Sequence, residues 1–270
     1  GKRLIIMYSE EHKKYIKEFK KRNLLIKLVQ VLILVIFLII WQLLSDYNII
    51  NSFIFSSPYK VIKCLINLHI KGNLYNHIFI TVWETTISFL LGTFIGIFIA
   101  TLMWWNGFFA KVIDPYLTVL NSLPKVALGP IIIIWAGAGM NSIVFMALLI
   151  SVIVTIINIY QGFIETDPIK VKLMKSFKAT KKQIYFKLLL PNSLPVITSS
   201  LKINVSMSLI GVIMGEFLVS KEGIGYLILY GSQVFNLDLV ITGVMILCAV
   251  AVLMYYIILY IEKKLVKTNY

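Results

Sequence analysis

The sequence predicts an all-α integral membrane protein with six transmembrane helices, on three observations. The first is composition: of 270 residues, 59% are hydrophobic and only 14% are charged. Mean hydropathy is +0.87, and the apolar share exceeds that usual for soluble domains. The second is length. A hydrocarbon core of about 30 Å takes about 20 apolar residues as a helix, and runs of that size recur along the chain. The third is the gathering of Lys and Arg into a few intervening segments, as membrane topology requires. Lipid offers the backbone no hydrogen-bond partners, so runs of this length suit helices and not barrel strands.

Taken in order, residues 1–23 form a basic N-terminal segment, 24–264 a single six-helix membrane domain, and 265–270 a tail. The predicted spans are Leu24–Leu44, Asn76–Trp104, Val112–Trp135, Met140–Ile164, Asn192–Val219 and Asn236–Ile261. Nine basic residues fall between Lys2 and Lys27, one at Lys111, seven between Ile164 and Leu190, and three at Lys263, Lys264 and Lys267. The other side receives Lys60, Lys63, Lys71 and Lys221, with Lys125 and Lys202 inside spans. Both termini are therefore expected in the cytoplasm. The N-terminal basic run is too long for a signal-peptide n-region and no small-x-small site follows, so the first span is expected to remain as an anchor.

The stretch "LMKSFKATKKQIYFKLLLP", Leu173–Pro191, carries five lysines between apolar runs. Asp167–Pro168 reads as an N-cap and first helical position, opening a short helix with Ile169, Leu173 and Phe177 at every fourth residue and Met174 beside them. Thr180 and Gln183 have capping-box spacing and open a second helix, with Ile184 and Leu188 on one stripe, that Leu190 and Pro191 are expected to end. The loop over 165–191 thus reads as a helix-turn-helix. Its apolar stripe suits anionic lipid or the groove of a partner protein, and periodicity does not separate the two.

Other function classes lack their residues. The net charge of +14 does not sit on a soluble domain with aromatic platforms, so no nucleic-acid partner is expected. Cys64 and Cys248 form no disulfide framework. His69 and His77 stand in no ligand constellation, so no metal is expected. No nucleophile, base and orienting residue form a catalytic set. No G-x-x-x-x-G-K-[ST] loop is present, so ATP is not expected to bind this chain.

The basic loop resembles the cytoplasmic coupling loop of permease subunits in bacterial binding-protein-dependent ATP-binding-cassette importers. That loop reads Glu-Ala-Ala, three residues, Gly, then a spacer ending in Ile-x-Leu-Pro. Lys172, Leu173 and Met174 stand at the Glu-Ala-Ala position, Lys178 at the glycine, and Leu188–Pro191 at the end. Lysine adopts a positive φ less readily than glycine, so an altered turn is expected there.

Further stretches, "SSPYKVIKCL", "IDPYLTVLNSLPKVALGPIIIIWAGAG", "MGEFL" and "EGIGYLI", resemble the nitrate, sulfonate and taurine class. The resemblance implies a type I importer permease fold in a bacterial cell membrane and a second permease copy. It also implies two ATPase subunits holding ATP and Mg, and an external solute-binding protein. It marks Ile169, Lys172, Leu173, Met174, Phe177, Lys178 and Ala179 as the ATPase-coupling residues. The rival class is a secondary transporter, for which internal repeats and more than six helices are expected.

Charges within spans are costly and often mark a pathway. At about 1.5 Å rise per residue, Lys125 and Lys202 fall near the midplane and Glu84 nearer the outside, which puts a Glu84–Lys125 ion pair within reach. Lys202 and Glu216 are about four turns apart on one helix face and need other partners. Glu84, Lys125, Lys202 and Glu216 are candidate pathway residues, with the two lysines suited to an anionic solute, or else they are satisfied between helices. Gly92 and Gly96 are read as a close-packing motif.

Overall fold

The computed structural model describes residues 10–267, so residues 1–9 of the predicted basic segment and 268–270 of the tail lie outside the described residues. The chain divides into two compact units, one ending at Lys63 and the other beginning at Cys64.

In the first unit, α1 (Glu10–Asp46) extends the predicted first span at both ends, and its apolar window has none of its residues buried. Beyond it, Asn51 accepts from Phe53 N to cap the short α2 (Ser52–Phe55). Trp41 Nε1 donates to Phe55 O at 3.3 Å, and Tyr59 N donates to Gln42 Oε1 at 3.1 Å. These bonds fold the end of α1 against the start of α3 (Pro58–Lys71).

The second unit is built around three long helices, α4 (Leu74–Trp105), α7 (Met140–Ile164) and α10 (Leu190–Val219). The most extensive contacts are those of α7 with α10 and with α4. Small residues permit this approach. A Cβ on Gly215 would lie 2.8 Å from Ile143 Cα, and Gly211 stands as tightly against Ala147. The Gly92 and Gly96 motif likewise faces α7, at Ser151 and Thr155. Its close packing is thus within the chain.

Two predicted elements differ in the structure. The third span is not one helix: α5 (Gly107–Ser122) and a 3-10 turn (Lys125–Leu128) leading into α6 (Gly129–Ala136) meet at 90°. Pro124 holds Leu123 extended (ψ 141°), so α5 stops at Ser122. Among the described residues, five helices are therefore long and apolar enough to cross a membrane, or six if the bent pair is one span.

Conversely, Leu190 and Pro191 do not end the second helix of the basic loop. From α9 (Lys181–Ile184) the chain passes through a π segment (Tyr185–Leu189) straight into α10. Leu190 N reaches back to Tyr185 O, five residues away. Widening that turn accommodates the proline, which has no N–H to give an ordinary turn. The result is one helical run, Lys181–Val219, of 39 residues.

The last two helices are α11 (Ile224–Gln233), which the periodicity did not single out, and α12 (Leu237–Lys267). A core of Leu74, Val205, Ile224, Ile246, Val250, Met254 and Ile258 joins them to α4 and α10.

Candidate functional site

The two ends of α10 carry the features with chemical content. At its N-terminal end lies the basic loop. Asp167 accepts from Ile169 N at 2.8 Å and Pro168 sits in the first turn, so α8 (Pro168–Ser176) begins as its sequence directs. It ends in a Schellman motif: Ala179 N donates to Met174 O at 3.0 Å and Lys178 N to Lys175 O at 2.9 Å. Lys178 occupies the left-handed position of that motif with φ 54°. The turn is thus formed with lysine where the resembling loops have glycine. Two backbone hydrogen bonds hold a conformation that costs a non-glycine residue about 1–2 kcal/mol.

Thr180 and Gln183 form the complete capping box. The following segment is fastened to the bundle. Lys181 Nζ donates to Trp105 O at 2.9 Å, the Tyr185 hydroxyl pairs with Thr101 Oγ1 at 2.8 Å, and the Tyr185 ring lies 5.6 Å from Trp104. Ser193 Oγ donates to Gly162 O at 3.1 Å, tying the start of α10 to the end of α7. On α8, by contrast, nothing is buried. Ile169 and Phe177 are each 74% exposed and Leu173 55%, with Lys172 and Lys178 exposed beside them and Met174 and Ala179 half-buried. An uncovered apolar stripe therefore stands on a firmly anchored base.

At the C-terminal end of α10, Glu216 is fully buried. Its Oε1 accepts from Thr81 Oγ1 at 2.6 Å, and its Oε2 from Gly225 N at 2.5 Å. Thr81 Oγ1 in turn accepts from Ile224 N at 2.8 Å, and His77 Nδ1 from Gly223 N at 3.0 Å. The orphan N–H groups opening α11 are thus met by side chains of α4 and α10, and an acidic group sits where the helix dipole favours it. Gly223 (φ 104°) and Gly225 leave room for the carboxyl, since a Cβ on either would collide with it. Those two glycines within "EGIGYLI" were the available signal for this arrangement.

Glu84 lies beside Glu216, with only 4% of its surface exposed. Its Oε2 has no hydrogen-bond partner. Next to it is a cavity of about 590 Å³ walled by Ile80, Glu84, Gly139, Met140 and Ile143, with Lys221 and Glu222 at the exposed rim.

The structure therefore brings Glu84 and Glu216 together and separates both from the lysines. The Glu84–Lys125 pair is not formed: Lys125 Nζ donates instead to Asn121 O at 2.8 Å, across the break between α5 and the 3-10 turn. The break places Lys125 on a turn of its own and not on a helix facing Glu84. Lys202 finds the separate partner its distance from Glu216 demanded, bonding to both oxygens of Glu262 at 3.1 Å. Glu262 lies just past the predicted end of the last span, and only the longer α12 brings it alongside α10.

These features define a polytopic helical membrane protein with a folded basic loop between two core spans. A family model described as the binding-protein-dependent transport system inner membrane component matches residues 92–267, and the chain belongs to that family. The chain is 30% identical over 232 residues to a probable ABC transporter permease protein of Haemophilus influenzae, covering 86% of this chain and 94% of that one. It is 29% identical over 189 residues to the formylaminopyrimidine transport permease protein of Halalkalibacterium halodurans, covering 70% and 75%. With a putative aliphatic sulfonates transport permease protein of Bacillus subtilis it shares 25% over 228 residues, covering 84% and 83%. In fold it is similar to a chain of the MetNI methionine ABC transporter in an inward-facing conformation. The TM-score there is 0.60 at 17% identity, covering 74% of this chain and 99% of that one. The chain is thus a transport permease of an ABC importer with a type I importer fold, and nothing favours a secondary transporter.

Proposed function

We propose that this permease forms the membrane pathway of an ATP-driven importer and is driven through its 165–191 loop by a separate ATPase. The observation that carries this reading is the uncovered stripe of Ile169, Leu173 and Phe177 on α8, held on an anchored base. An exposed amphipathic helix of this kind is suited to a groove on a partner. Lys172, Met174, Lys178 and Ala179 complete the contact surface and fix its turn. Because α8 and α9 join α7 to α10, a pull on the loop reaches the two helices that share the tightest packing in the bundle. ATP biases the transporter only through contacts that differ between its inward- and outward-facing states.

In this reading two ATPase subunits hold ATP and Mg, two copies of this chain pair as a homodimer, and an external solute-binding protein delivers the cargo. The loop and both termini face the cytoplasm, as the distribution of Lys and Arg supports. The relatives carry formylaminopyrimidine and aliphatic sulfonates by name, and a small polar solute of one of these classes is the proposed cargo. Lys125 and Lys202 each meet an oxygen acceptor within the chain, so a cationic filter built from them receives no support from their geometry.

The test is reconstitution with the cognate ATPase and binding protein. The expected result is co-purification of the ATPase, with ATP hydrolysis that depends on this chain and rises with loaded binding protein. Uptake by the chain alone in liposomes would overturn the reading.

A further inference from the structure

We propose that the polar side of α5 lines a water-filled stretch of the solute pathway, with Asp114, Thr118, Asn121 and Ser122 as its wall. The inference rests on the permease reading and names pathway residues for it.

Three observations carry it. The first is how α5 divides: at about 3.6 residues per turn its side chains sort into three sides. Ala110, Ile113 and Leu117 pack on α4 and α7 through Met103, Ile153 and Ile156. Val112, Tyr116 and Val119 form an exposed apolar side that suits lipid. On the third side Lys111, Asp114, Thr118 and Ser122 recur at steps of three or four residues with Asn121 beside them, and all five are exposed.

The second is that these polar groups are open to a ligand from outside the chain. Among the described residues the Asp114 carboxylate and the Asn121 amide have no hydrogen-bond or ion-pair partner. The Thr118 and Ser122 hydroxyls donate to Asp114 O at 3.1 Å and to Thr118 O at 3.0 Å, which leaves their lone pairs free to accept. Hydrocarbon offers such groups nothing, so polar residues within a span face protein or water.

The third is where the stripe ends. At the 90° break Pro124 has no N–H to return to α5, and Lys125 Nζ donates to Asn121 O instead. Irregular backbone is tolerated in a membrane only against protein or beside a wet cavity. Water is the occupant that the chemistry favours, because a dry contact with a second copy would bury an unpaired carboxylate. Hydroxyl and amide groups, with Lys111 and Asp114 opposite in sign, offer hydrogen bonds to a small polar solute without selecting its charge.

The experiment uses the permease assembled with its ATPase in lipid nanodiscs, with Cys64→Ser and Cys248→Ser removing the native thiols. The single variants Thr118→Cys, Asn121→Cys, Tyr116→Cys and Val119→Cys are each reacted with a charged methanethiosulfonate. The thiolate is the reacting form and apolar surroundings suppress it, so the two polar-side variants are expected to label about tenfold or more faster than the other two. Trapping ADP and vanadate on the ATPase is expected to change the polar-side rates by about tenfold, since a pathway wall differs between the inward- and outward-facing states. Ser122→Cys stands in for either polar-side variant that fails to assemble. Equal rates on the two sides overturn the inference. So does a polar side that does not label, which would mark it as a dry contact between copies. Fast labelling that the trapped nucleotide leaves unchanged overturns it as well, marking a wet crevice outside the pathway. ATP hydrolysis is read in the same preparation. If it depends on this chain while the labelling pattern is absent, the inference fails and the permease reading stands; if it does not depend on the chain, the permease reading itself fails.

Discussion

The two ends of α10 meet their needs in opposite ways. At the loop end, α8 carries an apolar stripe that no other residue covers, and its caps are hydrogen bonds between neighbours in sequence, while Lys181, Tyr185 and Ser193 fasten the segment after it to the bundle. At the other end a buried carboxyl is satisfied by groups from α4 and α11, one of them 135 residues distant. The stripe on α8 is therefore a surface whose residues can change without loss of the bundle, while the second end is a joint on which the bundle depends.

The sharpest test of the contrast is Glu216→Ala. It strips the partners from Thr81 Oγ1 and from the N–H of Gly225 in a fully buried site. We expect a loss of about 3 kcal/mol or more, since two buried donors lose their acceptor at once. This reads as a large fall in Tm of the detergent-purified protein, and an unchanged Tm would remove the joint from the account. Ile169→Asp with Phe177→Asp is expected to leave Tm within a degree or two, because neither side chain is covered. ATP-dependent uptake is expected to fall by about tenfold or more, equivalent to about 1.4 kcal/mol. A double variant that transports normally would detach α8 from the coupling role.

Smaller effects separate the loop's own devices. Thr180→Ala removes one arm of the capping box and is expected to cost about 1 kcal/mol, felt as faster amide exchange from Lys181 to Ile184. Lys178→Gly is expected to have the opposite sign. Relief of the left-handed strain, about 1–2 kcal/mol, is partly offset by the greater freedom of glycine in the unfolded chain, about 0.4–1 kcal/mol. A net gain of about 0.5 kcal/mol would appear as slower exchange at Ala179. A slower-closing or less protected turn in the glycine variant would show that lysine is held there by contacts beyond the Schellman bonds.

Local signals were legible because they are local. The Asp167–Pro168 start, the Thr180–Gln183 box and the long apolar runs act over four residues or over one span, and each is present in the structure. The 90° break after Ser122 was half-legible: Pro124, Gly129 and Pro130 announce irregular backbone, but nothing in their order specifies an angle. Pro191 misled because proline ordinarily stops a helix, and the π segment that absorbs it shows in no composition or period. Glu84 and Glu216 were recognised as costly charges, yet a partner was sought by depth alone. Depth fixes height along a helix axis and leaves rotation about it open, and rotation decides which charges meet.

By itself, then, the sequence determined the class of protein, the second, fourth and sixth spans to within a few residues, and the basic loop with its caps. These follow from hydropathy, charge placement and backbone preferences, which each residue carries with it. Only the tertiary structure decided that Glu216 closes the start of α11, that Lys202 belongs to Glu262, and that Glu84 lies beside Glu216 at the wall of a cavity. Those pairings depend on how closely Gly211, Gly215, Gly92 and Gly96 let the helices approach and at what rotation. That is a property of surfaces meeting, which no stretch of the chain holds alone.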